Sequence, residues 1–288
     1  MSTVRLPGWS WGLLRVIAVG FVLGGCSSAA PAAATSPATA PPSAPSPAVE
    51  SQPEAFDHQH STLGAVLGTH VSDGVVAYGA LAADRGALDG YLASLAALSP
   101  EELDGFSREQ AMALWINAYN ASTVRLILDN GPLASIRDID EPWDKPTFAV
   151  AGQDVSLNHI EHEILRKQYP DARLHMVLVC AARSCPNLQS HAYVAERLGE
   201  QMDGASRAFV GDDQRNRFDA SAGVLRVSRI FEWYGSDFVS QYAQRGGGGD
   251  EAAAIRGFFS SFSADDTVAS PDVTVEWLEY DWALNGSF

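Results

Sequence analysis

Residues 174–186 read LHMVLVCAARSCP, a stretch that combines an apolar run with one histidine and two cysteines. Residues 174–180 are apolar almost throughout and rich in Val and Leu, which predicts a fully buried strand. Because side chains alternate between the two faces of a strand, His175 and Cys180 are expected on opposite faces. Cys185 follows in the turn after the strand, a position where side chains often carry function.

A helix is predicted soon after this turn. Apolar residues recur there at helical spacing, namely Ala195, Leu198, Met202, Ala205 and Phe209. Cys185 therefore lies at a predicted strand–turn–helix junction.

A central, buried helix is predicted from Ser107 to about residue 128. A capping-box pattern begins at Ser107, and Gly131-Pro132 ends the helix. Apolar residues surround its middle on nearly every side. Asn117 and Asn120 lie one turn apart on it, and a buried amide without a partner costs about 1–3 kcal/mol per group. One interpretation is that they bond neighbouring backbone; the other is that Asn117 orients a catalytic histidine.

A third helix is predicted from residue 157 to about residue 168, with Ser156 as its cap. His159 and His162 lie three residues apart on it, with Glu161 between them. Histidines at this spacing can ligate a metal. The alternative is a solvated polar face with one histidine that meets the core. The pattern is not that of the zinc-protease helix, which needs histidines four residues apart.

These elements predict an α+β fold in a single domain. The central helix is expected to pack on a mainly antiparallel sheet with further helices around it, and a papain- or transglutaminase-like arrangement is one form of this fold. The other predicted elements are helices near 56–70, 88–98 and 252–262, strands near 75–78, 147–150 and 273–280, and a hairpin at 218–227 with Gly223 in its turn.

The N-terminal part of the chain predicts export and a lipid anchor. The apolar run 16–25 ends in LGGC at 23–26, which resembles a bacterial lipoprotein signal with Cys26 as the lipidated residue. An ordinary secretory signal and a transmembrane anchor are the alternatives. We expect a location on the periplasmic side of the cell envelope. The outer membrane is favoured over the inner one, because Ser27 stands where an aspartate would retain the protein at the inner membrane.

Composition divides the chain into three segments. The predicted signal peptide covers residues 1–25, and a disordered tether rich in Ala, Pro and Ser covers residues 26–55. The folded domain is expected from residue 56 to residue 288, which is long enough to bury a sizeable core.

The formal net charge is -16, which makes the protein strongly acidic. Such a domain repels nucleic acid and anionic lipid head groups, so nucleic acid is excluded as a partner. The expected partners are the membrane, through the lipid on Cys26, and a peptide or protein ligand in the envelope.

With Cys26 lipidated, two cysteines remain in the chain, Cys180 and Cys185. An exported protein folds in an oxidising compartment, and the two residues are close enough in sequence to pair. A disulfide and two free thiols both remain open.

Several of these stretches together resemble the family called domain of unknown function 547 (DUF547). They are WINAYNA at 115–121, SIRDI at 135–139, SL at 156–157, IEH at 160–162, ILR at 164–166, His175 with Cys180, SCPNL at 184–188, Ser228 with IF at 230–231, WY at 233–234 and YDWALN at 280–285. The resemblance covers nearly all of the predicted domain. It implies no activity, since none is assigned to the family, but bacterial members are often exported.

A binding or structural role in the cell envelope is the main functional hypothesis. The alternative is a thiol-dependent hydrolase or transferase, with Cys185 as nucleophile, His175 or His162 as base, and Asn117 or Glu161 as the orienting group. In papain-like folds the nucleophile begins the central helix, whereas the helix at Ser107 has no cysteine there.

A second alternative is a zinc site built from His162, His175, Cys180 and Cys185. The main hypothesis expects no cofactor and no metal.

Overall fold

The helix predicted from Ser107 lies at the centre of the structure, a computed structural model that describes residues 55–288. It runs from Arg108 to Asn130, and the side chain and backbone of Ser107 pair with those of Gln110 as the capping-box pattern predicts. Every residue from 111 to 124 is buried. The prediction of a central buried helix is therefore confirmed.

Shorter helices surround this one. The helices are α1 (Ser61–His70), α2 (Tyr78–Ala83), α3 (Gly86–Ala97), α4 (Pro100–Asp104), α5 (Arg108–Asn130), α6 (Arg166–Gln168), α7 (Leu198–Val210), α8 (Ile230–Trp233), α9 (Gly235–Tyr242) and α10 (Glu251–Phe262). Helix α5 contacts α2 and α3, while α10 packs against α7 and α9. Within residues 55–288, no helix has the length and apolar character needed to cross a bilayer.

The strands are β1 (Val71–Ser72), β2 (Val75–Ala77), β3 (Phe148–Val150), β4 (Gln153–Val155), β5 (Arg217–Asp219), β6 (Val224–Val227), β7 (Thr274–Trp277) and β8 (Gly286–Ser287). They form three small sheets, in the orders β1-β2-β8, β3-β4 and β5-β6-β7. Neighbours in the sheets are antiparallel except for β2 with β8 and β6 with β7, which are parallel. The α+β class is confirmed, with the strands divided among small sheets rather than joined in one sheet beneath α5.

The predicted hairpin and the last predicted strand are both present. Strands β5 and β6 pair antiparallel, and Gly223 in their turn has a φ of 68°, which glycine adopts without strain. Strand β7 continues this sheet. The described residues lie in one compact unit, Pro53–Phe288. The predicted signal segment and Cys26 lie outside the described residues, as does all of the predicted tether except its last residue.

The strand predicted at residues 174–180 is wrong. Residues Ala172–Met176 form a 3₁₀ helix that begins at Asp171, and the chain then continues without regular structure. The backbone N–H groups of Val177 and Leu178 both donate to the carbonyl of Leu174, as in a helical turn. An apolar run alone does not separate a buried strand from a buried turn, because both remove the same side chains from water.

The side chain of Asn120 satisfies the backbone of this irregular segment. Its Nδ2 donates to the Val177 carbonyl at 2.9 Å, and its Oδ1 accepts from the Val179 N–H at 3.0 Å. A carboxamide carries the donor and acceptor that a neighbouring strand would supply. Buried backbone groups need such partners, so Asn120 allows this segment to remain buried without a sheet.

Asn117 makes the same kind of contact one turn earlier on α5. Its Nδ2 donates to the Tyr193 carbonyl at 2.7 Å, and its Oδ1 accepts from the Tyr193 N–H at 2.9 Å. Both asparagines therefore tie α5 to neighbouring backbone, which is the first of the two interpretations offered by the sequence.

The helix predicted from residue 157 to residue 168 contains a π-helical turn. The wider turn covers His159–Leu165, and α6 follows it directly. The hydrogen bond of the Arg166 N–H reaches back to the Glu161 carbonyl. Such π turns occur often at functional sites, since the extra residue per turn redirects side chains.

Replacing Asn120 by alanine tests whether its side chain holds the irregular segment. The Asn120→Ala variant leaves the Val177 carbonyl and the Val179 N–H buried and unpaired, so we expect its free energy of unfolding to fall by about 2–3 kcal/mol. Urea denaturation measures this loss. Asn130→Ala is the matched control, because Asn130 is an exposed amide on the same helix that bonds only the Leu126 carbonyl. Equal urea midpoints for the two variants would contradict the role of the Asn120 side chain in holding this segment.

Candidate functional site

An aromatic pocket opens beside the cysteine pair. It has a volume of about 230 Å³, and six aromatic side chains line it: Tyr119, Trp143, Trp233, Tyr234, Tyr280 and Trp282. Asn158, Glu161, His175, Cys180 and Cys185 form the polar part of the lining. These residues come from α5, the loop at Trp143, the π-helical turn, the chain between His175 and Cys185, α8 and the C-terminal stretch, so the pocket forms only in the folded domain.

Three of the aromatic rings form a cluster at the exposed side of the pocket. Trp233 and Trp282 stack with centroids 5.8 Å apart, and Tyr280 lies 4.9 Å from Trp233 and 4.6 Å from Trp282. Trp233 is 45% exposed, which is unusual for a side chain of this size. Arg137 lies over the ring of Trp282 at 5.3 Å, so this cluster already engages one cation. Exposed, contiguous aromatic surface commonly marks a binding site.

Glu161 is a buried carboxylate that faces this pocket. It is only 7% exposed, and within the described part of the chain it makes no ion pair. Burial and the charge of Glu161 raise the pKa of the Tyr234 hydroxyl, and the charge of Glu161 also acts on the Arg166 guanidinium without forming an ion pair. A buried charge without an ion-pair partner is costly, so this carboxylate is suited to receive a positive ligand.

A second acidic group, Asp237, has its charge fully paired. Its Oδ2 accepts from His175 Nε2 at 2.8 Å and from Arg166 Nε at 2.6 Å, while its Oδ1 accepts from Arg166 Nη2 at 2.8 Å. Burial works to raise the pKa of Asp237, but the bonds from His175 and Arg166 hold that pKa well below its ordinary value. His175 also stacks on Tyr234 with centroids 4.0 Å apart. The imidazole is thereby fixed in position at the wall of the pocket.

His162 lies on the far side of Arg166 from Asp237. Its Nδ1 is 2.9 Å from Arg166 Nη1. Because arginine can only donate, His162 Nδ1 accepts this bond. One ring nitrogen of His162 is therefore occupied by Arg166, and His162 does not line the pocket.

The two cysteines lie against each other at the inner end of the pocket. Their sulfur atoms are 2.8 Å apart, and both are free thiols. Cys185 is 3% exposed, whereas Cys180 is partly exposed and lies 3.3 Å from the hydroxyl of Tyr280. A hydrogen bond from Cys185 lowers the pKa of the Cys180 thiol, while burial raises the pKa of the Cys185 thiol well above its ordinary value. Cys180 is therefore the more readily ionised of the two.

The structure brings together some of the site residues that the sequence indicates and separates others. Cys185, His175 and Glu161 all line the pocket. Asn117 does not line it, because its carboxamide is engaged by Tyr193. The sulfur of Cys185 bonds to Cys180 and to the Leu178 carbonyl, and no imidazole is among its hydrogen-bond partners in the described residues.

Sequence reasoning missed Asp237 and the aromatic lining as site residues. Asp237 lies 62 residues from His175 in the chain, so no local spacing connects them. The aromatic-rich stretch at 230–238 and the YDWALN ending were visible, but an aromatic run is more often part of a core. The signal that the two stretches share in the sequence is a high density of Trp and Tyr, at 233–234 and at 280–282.

The described residues offer no ligand set for the zinc alternative. Among residues 55–288, no group of three or more His, Cys, Asp and Glu side chains is placed to hold a metal. His175 and His162 face Asp237 and Arg166 rather than the sulfurs.

The fold and the pocket define an α+β domain with an aromatic site beside a cysteine pair. Residues 103–210 match the model of a family described as "Protein of unknown function, DUF547". This match, which covers less than half of the chain, supports the DUF547 family that the motifs resemble. It includes Glu161, His175 and both cysteines of the pocket, whereas Asp237 and the C-terminal aromatic residues lie beyond it. No curated protein and no solved structure matches the chain.

The pairing of Asp237 predicts a pH-dependent loss of stability on substitution. The pKa of Asp237 is lower in the folded protein than in the unfolded chain. Its ionised form therefore adds to the free energy of unfolding in full above about pH 4, and this contribution is lost as the pH falls toward the folded-state pKa. We expect Asp237→Asn to lower the free energy of unfolding by about 2 kcal/mol at neutral pH.

Urea denaturation of the Asp237→Asn variant and the wild type at several pH values measures this difference. The gap between the two proteins should narrow as the solution becomes more acidic. Asp213→Asn is the control, since Asp213 is exposed. A gap that stays constant with pH would show that the charge of Asp237 is not what stabilises the fold.

Proposed function

We propose that this domain is a binding protein whose aromatic pocket takes an organic cation, such as an ammonium group. The observation that carries the proposal is Glu161, a carboxylate that is 7% exposed and lines a pocket walled by aromatic rings. None of the side chains that line this pocket in the described residues is a lysine or an arginine.

The aromatic lining supports a cationic ligand. The faces of Trp and Tyr rings carry partial negative charge and attract cations, a contribution of about 2 kcal/mol or more when the cation leaves water. Trp233, Tyr280 and Trp282 offer such surface within one cluster. The rings also exclude water from the neighbourhood of Glu161, which strengthens its attraction for a positive charge.

The size and charge of the molecule agree with this ligand class. The pocket volume of about 230 Å³ lies below the range of about 300–1,000 Å³ that is usual for pockets that bind drug-sized ligands. The pocket therefore suits a small cationic head group or a side chain. The formal charge of -16 attracts cations toward the whole surface and raises their local concentration.

The geometry favours binding over the thiol hydrolase. A cysteine hydrolase needs an imidazole in contact with its sulfur and access for a substrate carbonyl. Cys185 is 3% exposed, and His175 uses Nε2 to bond Asp237. The His175–Asp237 pair and Arg166 serve as a rigid wall behind Tyr234.

Titration with choline tests the binding proposal. Choline should quench or shift the tryptophan fluorescence of the domain, whereas its neutral isostere 3,3-dimethyl-1-butanol should bind at least about tenfold more weakly, which corresponds to about 1.4 kcal/mol. Glu161→Gln should weaken choline binding by a similar factor. Circular dichroism of the variant checks that it is folded.

Glu163→Gln is the matched control for this titration. Glu163 lies two residues away on the same π-helical turn but is exposed and paired with Lys167. Its replacement should leave choline binding unchanged. Equal binding of choline and its neutral isostere, or equal losses in the two variants, would overturn the proposal.

The setting that we propose for this binding is the cell envelope. The sequence at 23–26 supports lipidation of Cys26, and the Ala/Pro/Ser-rich segment would let the domain reach a peptide or protein ligand that carries the cationic group. The outer membrane is the proposed location because Ser27 follows the anchor cysteine.

Expression of the full chain in a bacterium with two membranes tests the anchor. The wild-type protein should enter the detergent phase on phase partitioning and the outer-membrane fraction on density separation. Cys26→Ala should enter the aqueous phase, and Ser27→Asp should move the protein to the inner membrane. Wild-type protein found in the aqueous phase would contradict lipidation.

A further inference from the structure

We propose that Cys180 and Cys185 form a redox-active dithiol that exchanges with disulfide substrates entering through the pocket, with Cys180 as the attacking thiol and Cys185 as the resolving thiol. This activity goes beyond ligand binding and does not require the cation. The sulfur atoms lie 2.8 Å apart as free thiols, closer than two unbonded sulfurs usually approach.

The loop between the two cysteines is held in a shape that brings the sulfurs together. Ala181 has a φ of 60°, a left-handed conformation that side chains rarely adopt, and the Cys185 N–H closes a turn onto the Ala182 carbonyl at 3.1 Å. Such a residue persists where its surroundings fix it. The sulfurs can therefore be joined with little movement of the backbone.

The C-terminal stretch clamps this loop from outside. The Asn285 N–H donates to the Ala181 carbonyl at 2.9 Å, and the Arg183 N–H donates to the Ala283 carbonyl at 2.8 Å. Ser184 Oγ accepts from the Asp281 N–H at 2.8 Å. The same stretch carries Tyr280, so the clamp also positions the hydroxyl that contacts Cys180.

The surroundings of the two sulfurs give them different roles. Cys180 is partly exposed, and its sulfur lies within hydrogen-bond distance of Cys185 Sγ and of the Tyr280 hydroxyl, both of which can donate to its thiolate and favour it. Cys185 is buried beneath it, and burial keeps its thiol protonated. An accessible, readily ionised thiol attacks first, and a buried neighbour completes the exchange.

The exchange balances as two substitutions at sulfur. The Cys180 thiolate attacks one sulfur of a substrate disulfide, the substrate S–S bond breaks, and one substrate thiol leaves with the proton that Cys180 has lost. The product is a mixed disulfide between Cys180 and the other half of the substrate. Cys185 then gives up its proton, attacks Cys180 Sγ and expels that half as the second thiol. The cysteine pair loses two electrons, and the substrate disulfide gains them.

Glutathione disulfide serves as the probe, with the full chain in a Cys26→Ala background so that only Cys180 and Cys185 can react. Reduced protein should consume one glutathione disulfide and release two glutathione molecules, and mass spectrometry should show an internal disulfide. Cys185→Ser should stop at a glutathione adduct on Cys180. Cys180→Ser should lose the reaction. Circular dichroism and choline titration report whether each variant still folds and still binds.

Two outcomes would overturn the proposal. One is a wild-type protein that stays reduced in excess glutathione disulfide, and the other is a Cys180→Ser variant that reacts as fast as the wild type. A test without cysteine variants follows the alkylation of the reduced wild type over time with a limiting amount of reagent. Cys180 should be modified before Cys185. Tyr280→Phe should slow the attack at neutral pH and leave the rate unchanged at alkaline pH, where Cys180 is ionised without help. Because choline binding is measured separately, failure of exchange leaves the binding proposal intact.

Discussion

Two side-chain amides on the buried helix α5 hold neighbouring irregular chain segments in place, and the segment that Asn120 holds lines the pocket through Leu178. Asn120 bonds both the Val177 carbonyl and the Val179 N–H, and Asn117 does the same for the backbone of Tyr193. Each carboxamide thus replaces the strand that would normally pair with a buried extended chain. Because this support comes from a helix, the backbone between His175 and Cys185 can turn sharply and still remain buried.

The pocket contrasts two carboxylates in neighbouring positions. Asp237 is surrounded by donors from His175 and Arg166, so its charge stabilises the wall and is not available to a ligand. Glu161 forms no ion pair in the described residues, although it is more buried than Asp237 and feels the charge of Arg166 at longer range. A buried charge without an ion-pair partner is expensive in the empty protein. A cationic ligand removes that cost, which is why Glu161 and not Asp237 is the group that we connect with binding.

The sequence predicts the elements whose signals are local and misses those that depend on distant partners. The capping box at Ser107 and the unbroken apolar surface of the following helix gave α5, and Gly223 gave the hairpin. The apolar run at 174–180 predicts a strand, although it has no periodicity that separates a strand from a buried turn. The residue that supports the observed irregular conformation, Asn120, lies more than 50 residues away in the chain. The thiol-hydrolase hypothesis named Cys185, His175 and Glu161, which line one pocket, but also His162 and Asn117, which do not, and the role of Asp237 required the fold. The difference between Cys180 and Cys185 also could not be predicted, since it depends on burial and on Tyr280.

Native-state hydrogen exchange at the backbone amides of Val179 and Tyr193 tests the central claim most directly, because both groups belong to irregular chain and both donate to an asparagine of α5. If the asparagines hold these segments, both amides will exchange only through global unfolding, as slowly as the amides in the middle of α5. Rapid exchange at the rate of exposed loops such as the one at Gly248 would contradict the account.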